Sequence, residues 1–233
     1  MTERPLILVN QYFVSSFLQR KEEIDETIKR NSIHPTFEKY IILLEKEEDR
    51  VVLEQLIAVD EHIEVINVGK RTNYADIFRF LSERKDLFDK VCIYTNADIY
   101  FDDTIKELKR VTDKQFICLS RREIDVNGQP VEMATHVATG SQDLWAFVNP
   151  VVDKLIDVTN FVNGHWGCEN RLAYEAMKLG YKLFNPYYTV KIYHNHRSQQ
   201  GRPPESVRLR GNYIALVPCK DLNTPSELVY SAY

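Results

Sequence analysis

Val91-Cys92-Ile93-Tyr94-Thr95-Asn96-Ala97-Asp98 decides how the rest of the chain is read. The run Lys90–Tyr94 gives way abruptly to polar residues and a carboxylate. A short run without polar/apolar alternation suits a strand buried on both faces, as in a parallel sheet covered by helices. Similar runs occur at Leu6–Val9, Tyr40–Leu44, Ile63–Val68 and Gln115–Leu119. Helical patterns separate them. Phe17–Arg30 is amphipathic and charged, Asp49–Val59 carries Val51, Val52, Leu56 and Val59, and Ala75–Arg84 carries Ile77, Phe78 and Leu81. Thr104–Val111 follows Asp102-Asp103, a pair suited to capping a helix. This alternation predicts an α/β fold with a Rossmann-like, mostly parallel sheet flanked by helices. Ligands meet such sheets at the carboxyl ends of the strands, where Asp98 stands.

The second half changes style. Leu144–Val148 reads as a strand, Val151–Val158 as a short helix, and Asn170–Leu179 as a helix stopped by Gly180. Tyr187–Tyr193 reads as another strand. Residues from about Arg197 onward, including Arg202-Pro203-Pro204, read as a loop and tail packed on the domain, with Tyr213–Val217 as an edge strand.

A length of 233 residues suits one domain over 1–233. The net charge of −4 argues against a general nucleic-acid binder, and an anionic ligand would need local positive charge. No stretch approaches the ~18 apolar residues of a membrane span. The N-terminal Met1–Pro5 lacks the shape of a signal peptide, and Cys92, Cys118, Cys168 and Cys219 are scattered without a CxxC pair. Reduced cysteines and a cytoplasmic setting are expected.

Asp98, at a strand end, is well sited to hold a hard divalent cation, which takes oxygen ligands and can bridge two phosphates. Taken alone, the triplet Asn96-Ala97-Asp98 reads more readily as the end of a strand and the start of a turn. Tyr193-His194-Asn195-His196 follows a strand-like run, and its two histidines share a face if the strand continues. Imidazole could complete a metal site begun by one carboxylate, with His194 favoured over His196; the alternative is a pair of ordinary surface or core histidines. In Asn163-Gly164-His165-Trp166-Gly167-Cys168-Glu169-Asn170, glycines flank an aromatic and lead to a carboxylate at a helix start. Trp166 could stack on a sugar or anchor the core. Glu169 could accept a proton from an attacking hydroxyl, or simply stabilise the first helical turn. Asp143, in the polar turn Gly140–Trp145, could bind sugar hydroxyls or end the turn. Lys70-Arg71 and Arg121-Arg122 follow strands and could meet phosphates or stay solvated. Glu45, after the second strand, could accept a hydrogen bond from a base edge.

The order of these elements resembles the GT-A glycosyltransferases: a strand ending in Asn-Ala-Asp, a Gly-Trp-Gly-x-Glu-Asn helix start, and a late strand ending in histidine. The correspondence spans roughly residues 5–200, and the compact size resembles short glycosyltransferases of large algal viruses and some bacteria. The resemblance implies Mn²⁺ or Mg²⁺ on the donor diphosphate, with Asp98 as the metal-binding aspartate and His194, joined by His196, as late ligands. It implies Glu169 as the base of an inverting reaction; Asp143 is expected beside it as a second catalytic candidate. Donor contacts are implied for Asn10, Gln11, Tyr12, Glu45, Arg71, Asn96, Ala97, Asp98 and Trp166. Asn96 departs from the family's aspartate, which removes one negative charge but keeps an acceptor.

The expected function is transfer of a hexosyl or deoxyhexosyl group from a nucleotide sugar, a UDP sugar foremost, to a glycan or glycoprotein hydroxyl. A sugar nucleotidyltransferase would show a glycine-rich basic loop after the first strand, where Asn10-Gln11-Tyr12-Phe13 has no glycine. A non-catalytic nucleotide- or carbohydrate-binding module is kept open by Asn96.

Overall fold

A computed structural model describes residues 3–58, 60–125, 127–201 and 204–232. The first half alternates as expected: β1 (Leu6–Tyr12), α1 (Leu18–Ser32), β2 (Phe37–Leu44), α2 (Arg50–Leu56), β3 (Ile63–Asn67), α3 (Tyr74–Glu83) and β4 (Val91–Thr95). There follow β5 (Ile99–Phe101), a 3-10 helix (Asp103–Arg110), β6 (Gln115–Leu119), β7 (Arg122–Ile124), β8 (Pro130–Val131) and α4 (Thr135–Gly140). The chain continues through β9 (Leu144–Val148), α5 (Asp153–Val158), α6 (Cys168–Lys178), β10 (Lys182–Phe184) and β11 (Ile192–His194), and closes with β12 (Asn212–Leu216) and β13 (Leu228–Ala232).

Seven strands form the central sheet in the order β10-β6-β9-β4-β1-β2-β3. β1 pairs in parallel with β2 and β4, β2 with β3, and β6 with β10, while β9 lies antiparallel between β4 and β6. The strands lack alternation because both faces are covered. Leu6, Leu8, Tyr40, Ile42, Val91 and Ile93 pack with Ile24 and Ile28 of α1 and Leu53 of α2. Their neighbours Ile7, Val9, Ile41, Leu43, Cys92 and Tyr94 pack on the other face with Tyr74, Phe78 and Leu81 of α3, Leu155 of α5 and Leu172 of α6. One chain run thus feeds two cores, through the period-two geometry of a strand. α3 starts on a capping box: the Asn73 side chain accepts from the Asp76 N–H, and Asp76 accepts from the Asn73 N–H. α6 ends beside Gly180, whose φ of +89° reverses the chain.

A second sheet, β5-β11-β7-β8, lies beyond the carboxyl end of β4. β11 runs antiparallel to β5, setting His194 opposite Ile99, and parallel to β7, setting His194 beside Glu123. The residue after Asp98 therefore pairs with His194, although 95 positions separate them.

Several expected elements are corrected. The strand expected over Tyr187–Tyr193 shrinks to β11, because the Pro186 carbonyl accepts from both Thr189 and Val190 and closes a turn there. Thr104–Val111 is a 3-10 helix shifted by one residue, with Asp102 accepting from the Thr104 N–H. Tyr213–Val217 is not an edge of the main sheet: β12 pairs antiparallel with β13 in a separate hairpin. Of the second expected helix, Val59 lies outside the described residues, as do Arg202 and Pro203 of the tail.

Candidate active site

A cleft of about 310 Å³ opens where β1, β2 and β4 end. Gln11, Glu45 and Thr95–Asp98 line it from the main sheet, Arg20 from α1, Asn163–Trp166 and Glu169 from the approach to α6, and His194 and His196 from β11 and the loop beyond.

Asp98 is buried and faces three cationic or potentially cationic groups through one oxygen. Its Oδ2 accepts from Arg20 Nη2 at 2.5 Å, and lies 3.0 Å from His194 Nε2 and 3.8 Å from His196 Nδ1. Burial opposes its charge, but His194 and Arg20 prevail and hold the carboxyl well below the usual carboxylate range. His194 is flanked on its other side by Glu123 Oε2, 2.8 Å from Nδ1. Burial would lower the imidazole, yet Asp98 and Glu123 outweigh it and raise its pKa to about 9. His196 goes the other way: burial and then Arg20 lower it. Its Nε2 lies 2.8 Å from the Gln200 carbonyl.

Asp98, His194 and His196 each offer a ligand atom, and these atoms lie within 4.8 Å of one another. Asp98 Oδ1 is buried without a hydrogen-bond partner among the described residues, which is costly for a carboxylate oxygen. A divalent cation bound to the carboxylate through Oδ2, the oxygen near both histidines, would offset that cost by charge, and the nitrogen and oxygen donors suit Mn²⁺ or a similar borderline ion. The residues present therefore fit such an ion.

Behind the cleft floor runs a hydrogen-bonded chain. Asn96 Nδ2 donates to Asp143 Oδ1 at 2.7 Å, and Asn96 Oδ1 accepts from Asn163 Nδ2 at 2.9 Å. Asn163 also meets the hydroxyls of Tyr94 and Tyr74, each at 2.9 Å. Asp143 Oδ2 accepts from Arg121 Nη1 at 2.7 Å and from Ser141 Oγ at 3.1 Å. Both Asp143 oxygens are thus engaged, and the residue is only 3% exposed. Expected as a catalytic or sugar-binding residue, Asp143 ties Asn96 to Arg121 and is not among the residues lining the cleft.

The expected donor contacts at the end of β1 divide by parity. Asn10 is fully buried and donates to Thr95 Oγ1 at 2.7 Å and to the Asn96 carbonyl at 3.2 Å, so it braces the 95–98 turn. Tyr12 is equally buried, and its hydroxyl donates to Asp25 at 2.9 Å. Neither is among the residues lining the cleft. Gln11, between them, is. It accepts from Thr72 Oγ1 at 2.9 Å and donates to the Lys70 carbonyl at 3.0 Å, holding the loop that carries Arg71. Arg71 Nη2 donates to the Asn163 carbonyl at 2.8 Å. A Cβ on Gly164 would meet that nitrogen, the movable end of a long side chain, so it is the φ of +85° that favours glycine there. Burial raises the Glu45 carboxyl, with Arg71 opposing it.

Glu169 sits in the first turn of α6, after Gly167 at φ +82°. It is partly open to the cleft and otherwise crowded by protein. Burial, reinforced by the Asp143 charge, raises its pKa to about 7. Trp166, 37% exposed, stands on the cleft rim with the Arg208 guanidinium 6.0 Å from its ring centroid. Ala97 lines the floor beside Asp98.

Two residues that contact the Asp98–His194–His196 cluster carry no sequence signal. Arg20 belongs to the charged face of α1, indistinguishable there from solvated neighbours. Glu123 lies on a three-residue strand; its spacing from Arg121, which it accepts from at 2.8 Å, is an ordinary local pair until β11 arrives.

No protein-family model and no curated protein matches the sequence. Solved structures do match, at identities that speak to fold. GalNAc-T7 with UDP, GalNAc and Mn²⁺ superposes with a TM-score of 0.55 at 12% identity, covering 87% of this chain and 45% of that one. A mannosyltransferase from Pyrobaculum calidifontis with GDP-Man and Mn²⁺ gives 0.53 at 10%, covering 86% and 59%. The 4-diphosphocytidyl-2C-methyl-D-erythritol synthase from Anaerococcus prevotii gives 0.51 at 11%, covering 77% and 85%. The chain spans about half the length of these two glycosyltransferases, 45% and 59%. It has the GT-A-like α/β fold expected from the strand-end motif and its successors.

Proposed function

We propose that the chain is a metal-dependent glycosyltransferase that moves a sugar from a nucleotide-diphosphate sugar to a hydroxyl acceptor. The observation that carries this reading is the meeting, in one cleft, of the Asp98–His194–His196 cluster with Glu169, a carboxyl poised near pH 7. The glycosyltransferases of similar fold bind Mn²⁺ with UDP or GDP-Man, and a nucleotide-sugar donor is carried over from them.

Asp98, His194 and His196 would hold the cation, whose contribution when bound is to neutralise the departing diphosphate. Serving as a ligand, His194 gives up its Nε2 proton, while Glu123 keeps the Nδ1 proton and fixes the ring. Gln11 holds the loop that aims Arg71 into the nucleotide end of the cleft, where Glu45 can accept from a base. Glu169 takes the proton of the acceptor hydroxyl as that oxygen attacks the anomeric carbon. The sugar–diphosphate bond breaks as the new glycosidic bond forms, with inversion if attack is in line. A pKa near 7 leaves Glu169 both ionised and basic enough at neutral pH. Trp166 offers the acceptor a stacking face at the rim.

The nucleotidyltransferase alternative is less well supported. The β1–α1 connection, Phe13-Val14-Ser15-Ser16-Phe17, has no glycine with which to cradle a triphosphate. A screen of nucleotide sugars with Mn²⁺ tests the proposal. Slow release of nucleoside diphosphate from one donor, abolished in Asp98→Ala, is expected. Release of pyrophosphate from a nucleoside triphosphate and a sugar phosphate would instead support the alternative.

A further inference from the structure

We propose that Arg20 is the exchangeable counter-ion of the Asp98–His194–His196 cluster: an entering divalent cation displaces it, and it then takes the donor's diphosphate. This rests on the metal reading above. Asp98 Oδ2, the oxygen turned toward both histidines, is held by Arg20 Nη2 at 2.5 Å. A guanidinium held on that oxygen and a divalent ion bound to it repel each other and compete for the same negative charge. Arg20 is therefore in the ion's way.

The remaining contacts of Arg20 let it move a short distance. Its Nη1 lies 3.5 Å from Glu23 and 3.4 Å from the Asn195 carbonyl, both far looser than the Asp98 bond. Glu23 is also tied to the loop beyond β11, accepting from the Ser198 N–H at 2.6 Å and its hydroxyl at 2.9 Å. When Asp98 is surrendered, the guanidinium stays against the cleft wall. There its planar fork matches a phosphate oxygen pair. Metal alone must leave Arg20 without its partner, whereas metal with a diphosphate replaces that partner. The two ligands thus bind cooperatively, and linkage makes the coupling reciprocal.

Calorimetric titration of Mn²⁺ into wild type, Arg20→Gln and Arg20→Lys, with and without UDP or GDP, reads this without turnover. Arg20→Gln should bind Mn²⁺ alone on the order of tenfold more tightly than wild type. It should also lose much of the enhancement that the diphosphate gives. Arg20→Lys, which keeps the charge but loses the fork, should fall between them. Structural damage would weaken metal binding, so tightening is not produced by a poorly folded variant. Unchanged or weaker Mn²⁺ binding in both variants overturns the exchange and leaves the metal reading standing. No Mn²⁺ binding by any of the proteins, even with diphosphate, overturns both.

Discussion

Glu169 concentrates the chemistry of the proposal in one titration. As a base it must be ionised, so the rate should rise with pH through about 7 and level off above. Glu169→Gln should lower turnover by about 10²–10⁴-fold while nucleotide affinity, read by calorimetry, stays put. The same shift has a cost for the fold. The folded pKa of about 7 lies above the ordinary 4.5, so the folded chain holds this proton more tightly than the unfolded chain does. That stabilisation is complete below about 4.5 and is lost as pH rises through about 7. Glu169→Gln should therefore melt above wild type at pH 8 and near it at pH 4, a pattern thermal denaturation can check. Gly164→Ala should cost about 1–3 kcal/mol through its positive φ and push Arg71 aside, raising the KM for donor more than it lowers kcat.

At this scale the sequence was readable where chemistry and strand ends coincide. Asp98, His194 and His196 lie together, and Gln11, Glu45, Arg71, Asn96, Ala97, Trp166 and Glu169 line the cleft. Asn10, Tyr12 and Asp143 do not. Alternation sets Asn10 and Tyr12 on the face opposite Gln11, and a run without polar/apolar pattern does not reveal which parity faces the ligand. Asp143 is claimed by Arg121 and Asn96, partners distant in sequence.

Among elements, the small β5-β11-β7-β8 sheet is what assembles the candidate metal cluster. β11 brings His194 between Asp98 and Glu123, and its contribution can be tested from the far side of the ring. Glu123→Gln keeps an acceptor for Nδ1 but removes the charge. Mn²⁺ affinity should fall about tenfold, toward the low end of what such supporting carboxylates contribute. Unchanged affinity would detach β7 from the site. The long strands of the main sheet were legible because uninterrupted apolar runs separated by amphipathic helices admit few other readings. β5, β7, β10 and β11 span three residues each, too short for any periodicity, and exist only through pairing with distant partners. The expected strand at Tyr187–Tyr193 failed for a related reason: a Tyr- and Val-rich segment satisfied its backbone in a turn on Pro186.

For the whole molecule, a net charge of −4 gives no general attraction for a nucleotide, so the cleft must supply its own. Arg20, Arg71 and Arg121 all line it. Binding there should stabilise the fold by mass action. UDP or GDP with Mn²⁺ at a hundred times Kd is worth about 2.7 kcal/mol. For a chain of this size that is a rise in Tm of roughly 5–10 °C, removed by EDTA. Among the described residues, no helix is long and apolar enough to cross a membrane.

Metal-linked nucleotide binding tests the central claim most directly. UDP and GDP would be titrated calorimetrically into wild type and Asp98→Ala, in Mn²⁺ and in EDTA. At least one of the two should bind wild type about tenfold or more tightly in Mn²⁺ than in EDTA, and Asp98→Ala should erase the difference. Equal affinity in Mn²⁺ and EDTA for both nucleotides, or a metal effect that survives in Asp98→Ala, would contradict the account.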